Sequence, residues 1–229
     1  MVKVLIAEDN VPISVHLSNV INFTKEAHAI SIVNNGTEVY QTIKTLKPEI
    51  VILDLKLPGE DGLEILRKIE ENSKETKVII YSGEPEYIAK VRGYESVVNF
   101  FSKTQPCEAV SVEVQRIARE ISFKYKEDKI YDILFKLGFQ PSQKGTEFIK
   151  DCIEISIKEH EENLKKIYQR IAIIKGKKAY TIKADVQVAI HKMWKYANKE
   201  KVRKFLRLGD YEEPSAKNVV TMVKYYVAK

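Results

Sequence analysis

Five short runs of branched apolar residues, interleaved with helix-patterned segments, constrain the fold of this chain more than any other feature. The runs are VKVLIA (2–7), AISIV (29–33), EIVILDL (49–55), KVIIYS (77–82) and SVVNFF (96–101). Each is rich in Val and Ile, of strand length, and without the polar alternation of a half-exposed sheet, so each reads as a strand buried on both faces. Between them lie segments with helical spacing. Pro12 to Phe23 sets Val15, Val20 and Phe23 near one side, with Pro12 suited to a first helical turn. Thr37 to Leu46 carries Val39, Ile43 and Leu46, and Leu63 to Ile69 carries Leu63, Leu66 and Ile69. Asn34-Asn35-Gly36 and Lys47-Pro48 punctuate these elements. Five strands alternating with helices predict a five-stranded, parallel, doubly wound α/β sheet.

In such a sheet the ligand site lies at the carboxyl edge of the strands. The first strand delivers Glu8 and Asp9 there, the third Asp54 and the fourth Ser82, and Lys103 follows the fifth. Carboxylates gathered at one edge repel unless a cation neutralises them. Hard oxygen ligands with room for water suit Mg²⁺. A divalent cation beside a carboxylate, with a lysine close by, balances the charge of an incoming phosphoryl group, and a carboxylate can itself be the nucleophile.

Residues 1 to 122 resemble the receiver domains of two-component response regulators. The resemblance rests on the acidic pair in VLIAEDN, the acceptor motif VILDLKLPGEDGLEIL, the hydroxyl residue in VIIYSG and the lysine in VVNFFSK. It implies a flavodoxin-like fold, with Asp54 as the phosphorylated residue. By the same resemblance Asp9, Asp54 and the Lys56 carbonyl bind Mg²⁺ and Glu8 assists through water. Ser82 and Lys103 contact the phosphoryl oxygens, and Phe100 is the aromatic switch. One departure is Lys103-Thr104, where the family usually has Lys-Pro.

The second half differs in charge and in pattern. Residues 1–123 hold 14 Lys and Arg against 18 Asp and Glu, a net −4; residues 124–229 hold 24 against 14, a net +10. A basic half of this kind points to a polyanionic partner such as DNA. A helical pattern from Glu108 to Ile121 closes the first domain, residues 123–128 form a short, charged join, and residues 129–229 form an all-α domain. Within it, helices are predicted from Ile130 to Leu137, Thr146 to Ile157, 163 to 174, 181 to 197, Lys199 to Leu208, and from Ser215 onward. The pair at 163–174 and 181–197 has the form of a helix-turn-helix. Its second helix shows a polar face of Lys183, Gln187, His191, Lys192 and Lys195, placed to contact DNA.

IYDILFKLGFQPSQKGTEFIKDCI, IYQRIA (167–172), VQVAIHKMW (186–194) and LGDYEEPSAKNVVTMVKYYV resemble the effector domain of the sporulation-initiation regulators of endospore-forming bacteria, over residues 128 to 227. Two departures stand out. The segment IIKGKKAYTIKAD is longer than expected between the paired helices. Where the family's recognition helix presents arginines and a glutamate, this chain has Asp185, Gln187 and Val188.

Together the two resemblances imply a phosphorylation-controlled transcription factor linked to sporulation control. Its phosphodonor would be a sensor histidine kinase or histidine phosphotransfer protein, and it would form a homodimer on DNA once phosphorylated. An alternative is a regulator whose divergent helical domain acts through protein–protein contact. A phosphate-transferring enzyme ranks last, because no nucleotide-binding GxxxxGK[ST] loop is present. No apolar run approaches the ~18 residues of a membrane span. The N-terminus lacks the pattern of a signal peptide. The only cysteines, Cys107 and Cys152, have no metal-ligand spacing. A cytoplasmic, non-enzymatic protein is therefore expected.

Overall fold

The computed structural model describes residues 1–83 and 86–229, apart from the side chain of Ile88. The chain forms two compact units, Met1–Ser122 and Phe123–Lys229.

In the first unit the five predicted strands form one sheet: β1 (Val2–Ala7), β2 (Ala27–Val33), β3 (Ile50–Leu53), β4 (Lys77–Ser82) and β5 (Val97–Ser102). Their order is β2-β1-β3-β4-β5, and every neighbouring pair is parallel. This is the order of a flavodoxin-like sheet, in which the chain reverses its winding direction after β2 and so leaves a switch point between β1 and β3. Alternate residues serve opposite faces. Ile6, Ile52, Ile79 and Tyr81 face a layer containing α1 (Val11–Asn22) and the first half of α5 (Cys107–Leu137). Leu5, Val51, Leu53 and Ile80 face α2 (Gly36–Leu46), α3 (Gly62–Asn72) and α4 (Tyr87–Val91). Burial on both faces is why β1, β3 and β4 lack polar alternation, whereas the edge strands β2 and β5, expected to be buried likewise, are mostly only partly buried because each has a neighbour on one side alone.

α1 is capped by Asn10, whose side chain accepts from the Ile13 N–H, with Pro12 in the first turn. It packs through Leu17 and Ile21, which are fully buried, whereas Val15 and Phe23 are exposed. The predicted face is therefore rotated, because Phe23 is the C-cap residue and lies beyond the last packed turn.

The second unit is all helical. The last turns of α5 pack with α6 (Lys144–Lys158), α7 (Leu164–Lys175), α8 (Ala179–Tyr196), α9 (Lys199–Leu206) and α10 (Ala216–Val227) around one apolar core. Ile130, Leu134, Phe148, Ile149, Ile182, Val186 and Val223 are among its most deeply buried members. Residues 123–128, expected as a separate join, lie inside α5. α10 opens at Ser215 with a reciprocal cap, in which the Asn218 N–H donates to Ser215 Oγ and the Ser215 N–H to Asn218 Oδ1.

The segment between α7 and α8 is not lengthened. α7 runs to Lys175 and α8 begins at Ala179, so only Gly176, Lys177 and Lys178 connect them. Gly176 takes a left-handed conformation at the end of α7, and three residues is the connection a helix-turn-helix uses. α8 starts at Ala179, two residues before the predicted boundary at 181, behind Lys178, which makes no side-chain cap. No helix among the described residues is long and apolar enough to cross a membrane.

Candidate phosphoacceptor site and nucleic-acid interface

The carboxyl edge of the sheet gathers the predicted acids. Glu8 follows β1 and is buried, its N–H donating to the Val33 carbonyl. Asp54 follows β3 and is likewise buried, held by its own N–H bonding to the Ala7 carbonyl at 2.9 Å. Asp9 is exposed. Ligand-capable oxygens of Glu8, Asp9 and Asp54 all lie within 4.8 Å of one another.

Lys103, directly after β5, reaches into this cluster. Its Nζ donates to Glu8 Oε1 at 2.7 Å and to Asp54 Oδ2 at 2.6 Å. The other Asp54 oxygen, Oδ1, accepts from the Lys56 N–H at 3.1 Å. Burial pushes the Glu8 carboxyl above the ordinary range, against the bonds from Lys103 and the Asn10 N–H that favour its charged form. Burial alone would lower the Lys103 ammonium, but its bonds to Asp54 and Glu8 outweigh that and raise it.

Two buried polar atoms here have no hydrogen-bond partner among the described residues: Glu8 Oε2 and Ser82 Oγ. Unpartnered buried polar atoms are uncommon, and each calls for a physical account. The free Glu8 oxygen, beside two other carboxylates and with one lysine to offset three acids, is the chemistry of a hard-cation site. Ser82 ends β4, and its carbonyl accepts from the Lys103 N–H at 3.1 Å, which ties the hydroxyl's strand end to the lysine.

The loop after Asp54 is braced against the start of α2. The Gly36 N–H donates to the Pro58 carbonyl at 2.8 Å. Gly59 has φ +91°, a conformation that favours glycine, and a Cβ there would run into the Asn35 side chain.

Phe100 and Phe101, neighbours on β5, are each partly buried on opposite faces. Phe100 packs with the α2–α4 layer and Phe101 with the α1–α5 layer. Thr104 donates its N–H to Ser102 Oγ at 3.3 Å, a bond proline could not make. No cis peptide occurs among the described residues.

Asn10 was missed as part of this site. It caps α1, and its N–H also donates to Glu8 Oε1 at 3.1 Å. The signal was its place two residues before a proline, at a helix start.

In the second unit Lys183, Gln187, His191, Lys192 and Lys195 are all exposed on α8. The same stripe includes Tyr180, Ala184, Val188 and Tyr196, which the sequence reading left out. Asp185, one of the substituted positions, is only partly exposed, and its carbonyl packs against Gly145 of α6. A groove of about 730 Å³ runs between α7, α8 and the segment 213–217, with Lys183, Gln187 and His191 along it and the buried Tyr168 and Trp194 beneath.

Residues 4–111 match the response regulator receiver domain family, and residues 130–227 match the family described as sporulation initiation factor Spo0A C terminal. The chain joins a response regulator receiver domain to a Spo0A-type C-terminal domain. The chain is similar to the oxygen regulatory protein NreC of Staphylococcus haemolyticus, with 30% identity over 118 residues that make up 50% of this chain and 54% of that protein. NreC of Staphylococcus epidermidis is 34% identical over 79 residues, which are 34% of this chain and 36% of that one. The match thus spans about half the length of these curated relatives or less. Among solved structures, a DNA-binding response regulator of the LuxR family from Staphylococcus aureus superposes with a TM-score of 0.48 at 25% identity, covering 52% of this chain and 99% of that one. The receiver domain of Thermotoga maritima CheB gives 0.45 at 22% identity, over 52% and 95%. In this response regulator the receiver domain carries the acidic cluster and the Spo0A-type domain carries the exposed α8 stripe.

Proposed function

We propose that the chain is a phosphorylation-controlled transcription factor of the cytoplasm, with Asp54 as phosphoacceptor and Mg²⁺ as cofactor. The observation that carries this reading is Lys103 bonding Asp54 and Glu8 together at the carboxyl edge of the sheet. Glu8, Asp9, Asp54 and the Lys56 carbonyl would hold the ion, whose charge would offset that of a phosphoryl group arriving among three carboxylates.

The donor would be a phosphohistidine on a kinase or phosphotransfer protein. An Asp54 oxygen attacks its phosphorus; the P–O bond forms as the P–N bond breaks, and the electron pair of the broken bond stays on the imidazole. Lys103, already within reach of Asp54, moves onto a phosphoryl oxygen. The unpartnered Ser82 hydroxyl donates to another, and Phe100 repacks behind it. The added charge, roughly −1.5 to −2 by analogy with other phosphorylated side chains, shifts the receiver between two surfaces. The face of α4, β5 and α5 then pairs two copies and brings two helical domains to two DNA half-sites. The match of the second half to the Spo0A C-terminal family supports placing this output in sporulation control. The receiver acts chemically on its own Asp54 alone.

Incubating full-length protein with Mg²⁺ and acetyl phosphate tests the first step. One phosphoryl adduct is expected, absent with a chelator and absent in Asp54→Asn; an adduct that persists in Asp54→Asn sinks the assignment. The DNA step is tested by gel shift across a salt series. With ~6 phosphate contacts the log-log slope is about −5. Lys183→Ala and Lys192→Ala should each flatten it by about 1.

A second reading, a helical domain that binds a protein instead, draws support from the absence of arginine on α8. It gains if pull-down of genomic fragments enriches no motif in either phosphorylation state.

A further inference from the structure

The exposed stripe of α8 has an unusual middle. Successive helix positions advance by about 100°. On that spacing Ala184 and Val188 fall on the mid-line of the stripe, one turn apart, flanked by Gln187 and Lys183 on the groove side and Lys192 on the other. Val188 is 52% exposed, although valine is usually an inward residue. Gln187 has no hydrogen-bond partner among the described residues, so both its amide donor and its amide acceptor are available. α8 contains no arginine.

We infer that this face reads an A·T core. Gln187 pairs with an adenine while Ala184 and Val188 pack on the methyl groups of adjacent thymines. The inference rests on the DNA-binding reading above and gives it a chemical class of target.

Three physical points carry it. The first residues of a recognition helix are those that meet base edges, and Ala184, Gln187 and Val188 all fall within the first ten of α8. A glutamine amide offers adenine the donor and acceptor that its N7 and N6 require, and small apolar side chains suit the thymine methyl. The planar fork that most often reads guanine is arginine, and none stands on this helix. Lys183 and Lys192 flank the Ala184–Val188 pair, and Lys195 follows it two turns on along the same line; as flexible point charges they are suited to phosphates.

The test is selection from random duplexes with the full-length chain, with and without acetyl phosphate. The expected motif has consecutive A·T pairs at its centre. Replacing one central thymine by deoxyuridine, which lacks only the methyl, should weaken wild-type binding about fourfold. Val188→Ser should bind the two duplexes equally. Gln187→Arg should move one position of the motif from adenine to guanine, with a preference of roughly tenfold or more. Both substitutions are at exposed positions, and circular dichroism of the variants checks that they fold. A motif centred on G·C pairs, or wild-type binding indifferent to the methyl, overturns the A·T readout while leaving DNA binding intact. No enriched motif in either state overturns the DNA reading itself and the readout with it.

Discussion

The Lys103 ammonium lies 2.6 Å from Asp54 Oδ2 and 2.7 Å from Glu8 Oε1, so one cation placed after β5 bridges carboxylates delivered by β3 and β1. The two carboxylates are almost fully buried, and the lysine side chain is about one-fifth exposed. The bridge ties β1 and β3 to β5, across the end of the intervening β4, at the edge where the chemistry would occur. On the proposed function it would occupy Asp54 until a phosphoryl oxygen draws the lysine away.

Removing that cation leaves two buried acids facing each other. Lys103→Met should therefore destabilise the receiver unit by about 3 kcal/mol, the lower end of the cost of breaking a buried pair, because the lysine is partly solvated. Urea unfolding in a chelator measures this. Added Mg²⁺ should raise the midpoint of the variant more than that of the wild type. Equal midpoints for the two proteins in chelator would show that the bridge does not hold the acids.

Ser82 makes the opposite kind of prediction. Its hydroxyl is buried with no partner among the described residues, so in the resting protein it carries a desolvation cost and returns no bond. Ser82→Ala should leave thermal stability unchanged or raise it by about 1 kcal/mol. The same change should slow phosphoryl transfer from acetyl phosphate, since the hydroxyl's expected partner is a phosphoryl oxygen. A variant both less stable and equally fast would place the hydroxyl in a structural role.

These residues show how far the sequence could be read. The central strands were legible because burial on both faces leaves Val and Ile runs with no polar alternation, and parallel order then placed Glu8, Asp54, Ser82 and Lys103 at one edge. The bridging role of Lys103 was not legible, since it depends on three chain segments distant in sequence. The continuity of α5 was hidden by the charged stretch 123–128. Yet no glycine or proline interrupts the chain between Pro106 and Gly138, so nothing stops the helix. The lengthened α7–α8 turn was an error of capping: Thr181 resembles an N-cap, but the helix starts at Ala179 behind an uncapped Lys178. α9 likewise ends at Leu206, before the predicted Leu208, because Arg207 takes the left-handed position usually given to glycine.

The helical unit carries a charged network whose pH response has a definite sign. Burial raises Asp151 and Glu154 above their ordinary ranges, against the attraction of Lys175 and Lys150. Lys150 also bonds Glu127 of α5, and Lys175 lies 3.4 Å from Asp151 Oδ2 and 2.8 Å from Glu147. A carboxyl with a raised folded pKa binds its proton more tightly in the folded state. Its stabilising contribution is full below the unfolded value, here 3.8 for Asp151, and is lost as pH rises through the folded one. Asp151→Asn removes that loss. Its gain in urea midpoint over wild type should thus be larger at pH 7 than at pH 4, with Lys175 still paired to Glu147. A gain that shrinks as pH rises would reverse the assigned sign.

A close approach of α6 to α8 supplies the last prediction. Gly145 lies in the first turn of α6, where the backbone of α8 comes so near that an added Cβ would overlap the Asp185 carbonyl oxygen and sit 2.7 Å from the Ala189 Cβ. Those neighbours are backbone and a short, buried side chain, so neither can swing aside. Gly145→Ala must push α6 and α8 apart, although alanine is the better helix former. Overpacking of this kind typically costs 1–3 kcal/mol, which should exceed the ~1 kcal/mol gained in helix propensity. A lower melting temperature is expected. Because α8 carries the whole exposed stripe from Tyr180 to Tyr196, DNA affinity should fall as well, measured at a temperature where the variant is still folded. If Gly145→Ala is instead more stable than wild type, the propensity gain has won and the two helices are not in fixed contact at Asp185.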